Sequence, residues 1–237
     1  MNEWMNNILG LIKRMLIVLM VLCSGLNHYQ VSYQSDQNWL HLPTTEGLSL
    51  DNVMRADACD KSRRHCVKDV LLIRGMIGLQ TYFDLKRLYQ QRTVKTICVD
   101  SPGGVVPMAV VIAKWIYANS LSTCMAELYL LHEFSTQLVN AECHSACPLV
   151  LAAGKQRWSL GETPTVGVHQ GRAEISWCFC QLTIPISGSV TSFVSLMPPS
   201  TASFDLLFAM TDKAPPAQIY RLNTTELAQV NMFTNSL

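Results

Sequence analysis

Three short stretches hold residue types that could carry out acyl transfer: "SPGG" at 101–104, "CHSAC" at 143–147 and "GVHQ" at 167–170. Ser145 supplies a hydroxyl that becomes a nucleophile once a base removes its proton. His169 is a base of the right strength, because imidazole titrates near neutral pH. Gly103 and Gly104 lack side chains, so their backbone can approach a ligand closely. Their amides, with that of Ala146, could stabilise the negative oxygen that develops when a carbonyl is attacked. Each residue also has a plainer reading. Ser145 could cap a helix, since serine is favoured there. His169 could be a satisfied core or surface histidine, and the glycines could serve only a tight turn.

These residues need a scaffold, and the surrounding pattern predicts one. "DVLLIRG" (69–75) reads as a buried strand stopped by glycine. "LQTYFDLKRLYQQR" has apolar residues at helical spacing. "VKTICVD" (94–100) is a second strand broken by "SPGG". "VVPMAVVIAKWIYANS" is a helix with Pro107 in its first turn, and "STCMAELYLL" is a third strand. This alternation predicts an α/β fold with a mainly parallel sheet. Residues 131–140 read as additional surface structure. "HSACPLVLAAG" is a short helix ended by Gly154, which would place the Ser145 hydroxyl at its start, and "TPTVGVHQ" is a strand ending on His169. "ISWCFCQLTIPIS" reads as extended, "PAQIYRL" as a late strand, and "NTTELAQVN" as a capped helix with Glu226 in its first turn.

Composition narrows the function classes. The 237 residues carry 18 basic and 17 acidic side chains, a net charge of +1, with no basic run. That argues against a nucleic-acid partner. The chain is 15% charged and 49% apolar, as expected of a packed domain. Lys13 and Arg14, an apolar run from Met15 to Leu22 and small residues to Gly25 have the layout of an export signal, with an uncleaved membrane anchor as the competitor. The organisation expected is a signal or anchor over 1–26, an irregular lead-in over 27–68 and one domain over 69–237. The expected location is exported: periplasmic, or anchored and facing the periplasm.

Nine cysteines agree with export, where disulfides persist. Cys59 and Cys66 bracket "CDKSRRHC" and form the best local pair. Cys143 and Cys147 flank Ser145, and a disulfide or small buried packing suits them. Zinc held by Cys143, His144 and Cys147 would lack a fourth ligand, so no metal and no cofactor is expected. Lys155 reads as a solvated loop residue rather than the base of a Ser-Lys pair.

The ordered set "SPGG", "HSAC", "LAAGKQRW" and "GVHQ" resembles the Clp protease proteolytic subunit and its relatives in the Clp/crotonase superfamily. It looks most similar to an exported branch carrying "CxSAC", "AAGxxR" and "GVHQ". The resemblance spans roughly residues 69–230. It implies a repeated ββα spiral core, Ser145 as nucleophile, His169 as base, and Gly103, Gly104 and Ala146 as the oxyanion hole. It also implies a peptide or protein substrate and a homo-oligomer. The family's orienting aspartate has no match before Glu226. Asp212 is the stand-in, Asp205 its alternative, and Asp100 is another acid near the cleft. The stretch from Glu127 to Asn140 is longer than the pattern expects. A Clp-like scaffold or binding module without catalysis is the competing function. An acyl-CoA enzyme is a third reading, which export disfavours.

Overall fold

The computed structural model describes residues 53–133, 137–161, 164–177, 180–186 and 194–236. The expected signal or anchor at 1–26 lies outside them. Among the described residues, no helix is long and apolar enough to cross a membrane.

The fold is mixed α/β, built on an eight-stranded sheet. Its centre is parallel. β2 (Cys66–Arg74), β3 (Thr96–Asp100), β4 (Ser122–Ala126), β8 (Arg157–Leu160) and β13 (Asn235–Ser236) lie side by side in that order. Leu71, Leu72 and Ile73 of β2 and Ile97 and Val99 of β3 have no exposed surface. Such continuous apolar runs belong to strands covered on both faces. α1 (Leu79–Gln91) connects β2 to β3, and α2 (Val106–Ala118) connects β3 to β4. α2 buries Ala109, Ile112, Ala113 and Ile116 along one face, the stripe its spacing requires.

Two expectations change here. Residues 53–68, read as part of an irregular lead-in, form β1 (Val53–Cys59) and the start of β2, paired antiparallel. "STCMAELYLL" is two strands rather than one. β4 ends at Ala126, and β5 (Leu128–Leu131) crosses to pair antiparallel with β1. The break at Glu127 carries no glycine or proline, so a continuous apolar run gives no hint of it. The extra residues before "ECHSAC" then form β6 (Gln137–Val139), which pairs with β5 at the sheet edge.

A second sheet has three strands in the order β12 (Tyr220–Arg221), β9 (Thr165–Val168) and β7 (Glu142–His144). α3 (Cys147–Leu151) follows β7 after a two-residue turn and is buried along its length. The late helices are α4 (Phe204–Thr211) and α5 (Thr224–Gln229). α5 opens with the expected cap: Asn223 accepts from the Glu226 amide at 3.0 Å, and Glu226 returns a bond to the Asn223 amide at 2.9 Å. Lys213 and Tyr220 also hydrogen-bond the Glu226 carboxylate. Burial opposes ionisation of Glu226, but these partners outweigh it and hold the carboxyl below its usual range. Glu226 is thus committed to the cap. Residues Arg172–Pro185 fall in a separate compact unit, where β10 (Gly171–Trp177) and β11 (Cys180–Ile186) form a two-stranded sheet.

Among the described residues, three cysteine pairs form disulfides. Cys59–Cys66 closes the β1–β2 hairpin, with Cα atoms 4.1 Å apart. Cys143–Cys147 spans the turn between β7 and α3, at 5.2 Å. Cys98–Cys124, at 4.4 Å, joins directly registered residues of β3 and β4. The third pair was not expected, because strand register is invisible in the chain order.

Candidate active site

The three sequence stretches meet along one line of backbone. Ser101 bridges Cys143 in parallel: its amide donates to the Glu142 carbonyl at 2.8 Å, and its carbonyl accepts from the His144 amide at 2.9 Å. On the other side of β7, β9 runs parallel, with His144 opposite Gly167. The spatial order is therefore "SPGG", then "CHSAC", then "GVHQ". Ser145 and His169 each follow the C-terminal end of a strand, and those two strands are adjacent. Neighbouring strands lie about 4.8 Å apart, so register places both residues at the same sheet edge.

Ser145 occupies an unusual conformation. Its φ is +59°, in the left-handed region that non-glycine residues seldom adopt. Its amide donates to the Gly167 carbonyl at 2.9 Å. The sharp reversal turns β7 directly into α3, whose N-cap is Ala146. Ser145 is therefore not the cap, which removes the plainest reading of this serine. The Cys143–Cys147 disulfide brackets the turn, and both cysteines are fully buried. Joined to each other, they offer no thiolate to a metal. No cluster of three or more histidine, cysteine or acidic residues fit for a metal occurs among the described residues.

Gly103 and Gly104 take φ values of +108° and +149°. The Gly103 amide donates to the Ser101 hydroxyl at 3.0 Å, and the Gly103 carbonyl accepts from Ile77 at 2.7 Å. Gly103 is thus a spacer against Ser145 and its amide is engaged. The amides of Gly104 and Ala146 have no acceptor among the described residues. Of the three amides expected to form an oxyanion hole, these two are unengaged.

The His169 ring is nearly buried, and its Nδ1 lies 2.7 Å from the Gln170 carbonyl oxygen. A carbonyl only accepts, so Nδ1 carries a proton and Nε2 is the basic nitrogen. This is the tautomer a general base requires, and the Gln170 carbonyl favours it. Asp212 sits elsewhere in the network: its carboxylate accepts from the Gln170 side-chain amide at 3.4 Å. Asp205 is exposed in the first turn of α4. Asp100 is buried, accepts from the Glu142 amide at 3.1 Å and faces Arg74 at 3.5 Å. Burial is the main cause that raises its carboxyl above the usual range, and nearby Glu142 adds to it. The Ser145 hydroxyl makes no hydrogen bond among the described residues, so its relation to His169 is that of two residues following adjacent strand ends.

Sequence reading passed over Glu142 and weighed His144 only as a zinc ligand. Alternation was the available signal: in β7, Cys143 faces the core while Glu142 and His144 face the other way. A cavity of about 130 Å³, lined by Glu127, Asn140, Glu142, Ser159 and Thr165 among others, lies at the N-terminal ends of β7 and β9. It is at the opposite end of these strands from Ser145 and His169.

No family model matches the chain, and no curated protein matches it. Among solved structures, the chain is similar to a serine-to-alanine mutant of a membrane-bound stomatin-specific protease, at 14% identity and a TM-score of 0.45. That match covers 70% of this chain and 77% of the other.

Proposed function

We propose that this chain is a serine hydrolase of Clp-protease-like fold, most simply a peptidase, acting outside the reducing cytoplasm. The supporting observation is the side-by-side order of "SPGG", "CHSAC" and "GVHQ", with Ser145 on a left-handed turn at the shared strand edge. In this reading His169 Nε2 takes the Ser145 proton as Oγ bonds to the substrate carbonyl carbon. The carbonyl oxygen becomes an oxyanion facing the Gly104 and Ala146 amides. His169 returns the proton to the departing amine as the C–N bond breaks. Water, deprotonated by the same ring, then hydrolyses the ester and frees the serine. The Gln170 carbonyl, rather than Asp212, holds the ring through the cycle.

Three disulfides favour an oxidising compartment. Export, an N-terminal signal or anchor, the ββα spiral and a homo-oligomer belong to the same proposal and rest on the sequence resemblance. The alternative is a scaffold that keeps the fold without the reaction. It draws on the Ser145 hydroxyl not bonding His169, and on Asp212 serving Gln170.

A fluorophosphonate probe separates the two readings. The oxidised, folded protein is expected to label at Ser145, and Ser145→Ala to lose the label with its circular dichroism unchanged. Folded protein with intact disulfides that takes no label would leave the scaffold reading.

A further inference from the structure

The Cys143–Cys147 disulfide closes a loop around the candidate chemistry. Ser145 lies inside that loop, and so does Ala146, whose amide is unengaged. Of residues 143–147, Ser145 alone keeps partial exposure. Its left-handed φ of +59° is strained for a residue with a side chain, and such strain persists only where the surroundings impose it.

The two sides of this turn are held unequally. On the β7 side, backbone fixes the chain. Ser101 brackets Cys143 with two hydrogen bonds, β9 pairs along Cys143 and His144, and the Ser145 amide donates to Gly167. On the other side, α3 has only five residues, Cys147–Leu151, too few to be stable as a helix by itself. Its N-cap, Ala146, offers no side-chain oxygen, and Pro148 in its first turn has no backbone N–H. Packing buries the body of α3, but its start is tied through Cys147, its first residue. The disulfide thus joins a weakly started helix to a firmly held strand, with Ser145 between them.

We propose that this disulfide is an oxidative latch. The chain folds with its serine site unset while Cys143 and Cys147 are thiols, and their oxidation outside the reducing cytoplasm sets the site. The proposal rests on the hydrolase reading. In the latching step the two thiols give up two protons and two electrons as the Sγ–Sγ bond forms. A disulfide oxidant, acting by thiol–disulfide exchange, takes them up and leaves as two thiols. Both cysteines are fully buried in the folded chain, so exchange precedes the final closing of the turn, and the finished bond is shielded from reductants. The other two disulfides lie in different places: Cys59–Cys66 closes the β1–β2 hairpin, and Cys98–Cys124 joins β3 to β4. They serve as controls.

The test unfolds and reduces the full chain, then refolds it with either dithiothreitol or oxidised glutathione. Fluorophosphonate labelling at Ser145 is timed, and mass spectrometry reads the thiols. The reduced chain is expected to fold by circular dichroism but to label roughly tenfold more slowly or worse, as when an oxyanion donor is misplaced. The rate should return in step with the Cys143–Cys147 bond. The double variant Cys143→Ala with Cys147→Ala, refolded with oxidant, keeps the other two bonds. It should label at the reduced chain's rate and ignore the oxidant, whereas Cys98→Ala with Cys124→Ala should still respond. A folded Cys143→Ala, Cys147→Ala protein that labels at the wild-type rate overturns the proposal. So does a chain that cannot fold without this bond, since the bond would then serve the whole fold. If the oxidised chain takes no label, the hydrolase reading fails, and hydrogen exchange at residues 144–149 decides the latch. Protection that appears only with the disulfide keeps it, and equal protection in both states overturns it.

Discussion

Gly103 and Ser145 are packed so closely that a side chain on the first would displace the second. A Cβ on Gly103 would stand 2.5 Å from the Ser145 Cβ and 2.7 Å from the His144 carbonyl oxygen. The glycine of "SPGG" therefore sets where the serine of "CHSAC" can sit, although 42 positions separate them in the chain.

Gly103→Ala should accordingly injure both stability and the serine. The φ of +108° is unsuited to alanine and the contact has backbone on one side, so a cost of about 1–3 kcal/mol is expected. Chemical denaturation reads the stability, and probe labelling at Ser145 should be nearly lost. A variant with wild-type labelling would show that the turn does not depend on this spacing.

The disulfides should separate stability from reactivity. In the chain-entropy model, the five-residue loop closed by Cys143–Cys147 stabilises by about 2 kcal/mol, and the 27-residue loop of Cys98–Cys124 by about 3.5 kcal/mol. Replacing Cys98 and Cys124 with alanine should cost more in a urea titration. Replacing Cys143 and Cys147 should slow Ser145 labelling more. Equal labelling rates in the two variants would remove any special role for the pair beside the serine.

Arg157 should behave as a structural clamp. Its buried guanidinium donates to the carbonyls of Gly154, Asn231 and Met232 and to the Thr201 hydroxyl, at 2.8–3.0 Å. Arg157→Met leaves several buried acceptors unmet, and a loss on the order of 3 kcal/mol is expected. Hydrogen exchange should show the largest loss of protection at residues 231–236. Protection lost evenly across the sheet would speak against a local clamp.

His144 should make the fold acid-sensitive. Its folded-state pKa of about 4 lies below the ordinary 6.5, so the unfolded chain binds the proton more readily. Its share of stability is whole above pH 6.5 and is lost as pH falls toward 4. The full span is about 3 kcal/mol. Denaturation midpoints measured from pH 7.5 to 4 should flatten in His144→Gln; an unchanged slope would assign the sensitivity elsewhere.

Much of the fold was legible because local patterns encode it. The apolar runs of β2 and β3, the helical stripe of α2 and the Asn223–Glu226 cap are decided by neighbours a few residues apart. Ser145, His169 and the glycine pair stood out by residue type and by the glycine and proline punctuation around them. Other features depend on residues distant in the chain. The pairing of β5 with β1, the Cys98–Cys124 link and the clamp around Arg157 follow from strand register, which a single chain order does not reveal. At the site, the chain alone singled out a hydroxyl, an imidazole and two glycines. Only the parallel pairing of β7 with β9 set the two residues at one end of adjacent strands. The physical reason is range: periodicity and turn chemistry act over a few residues, whereas a site is assembled by packing between strands brought together only when the chain folds.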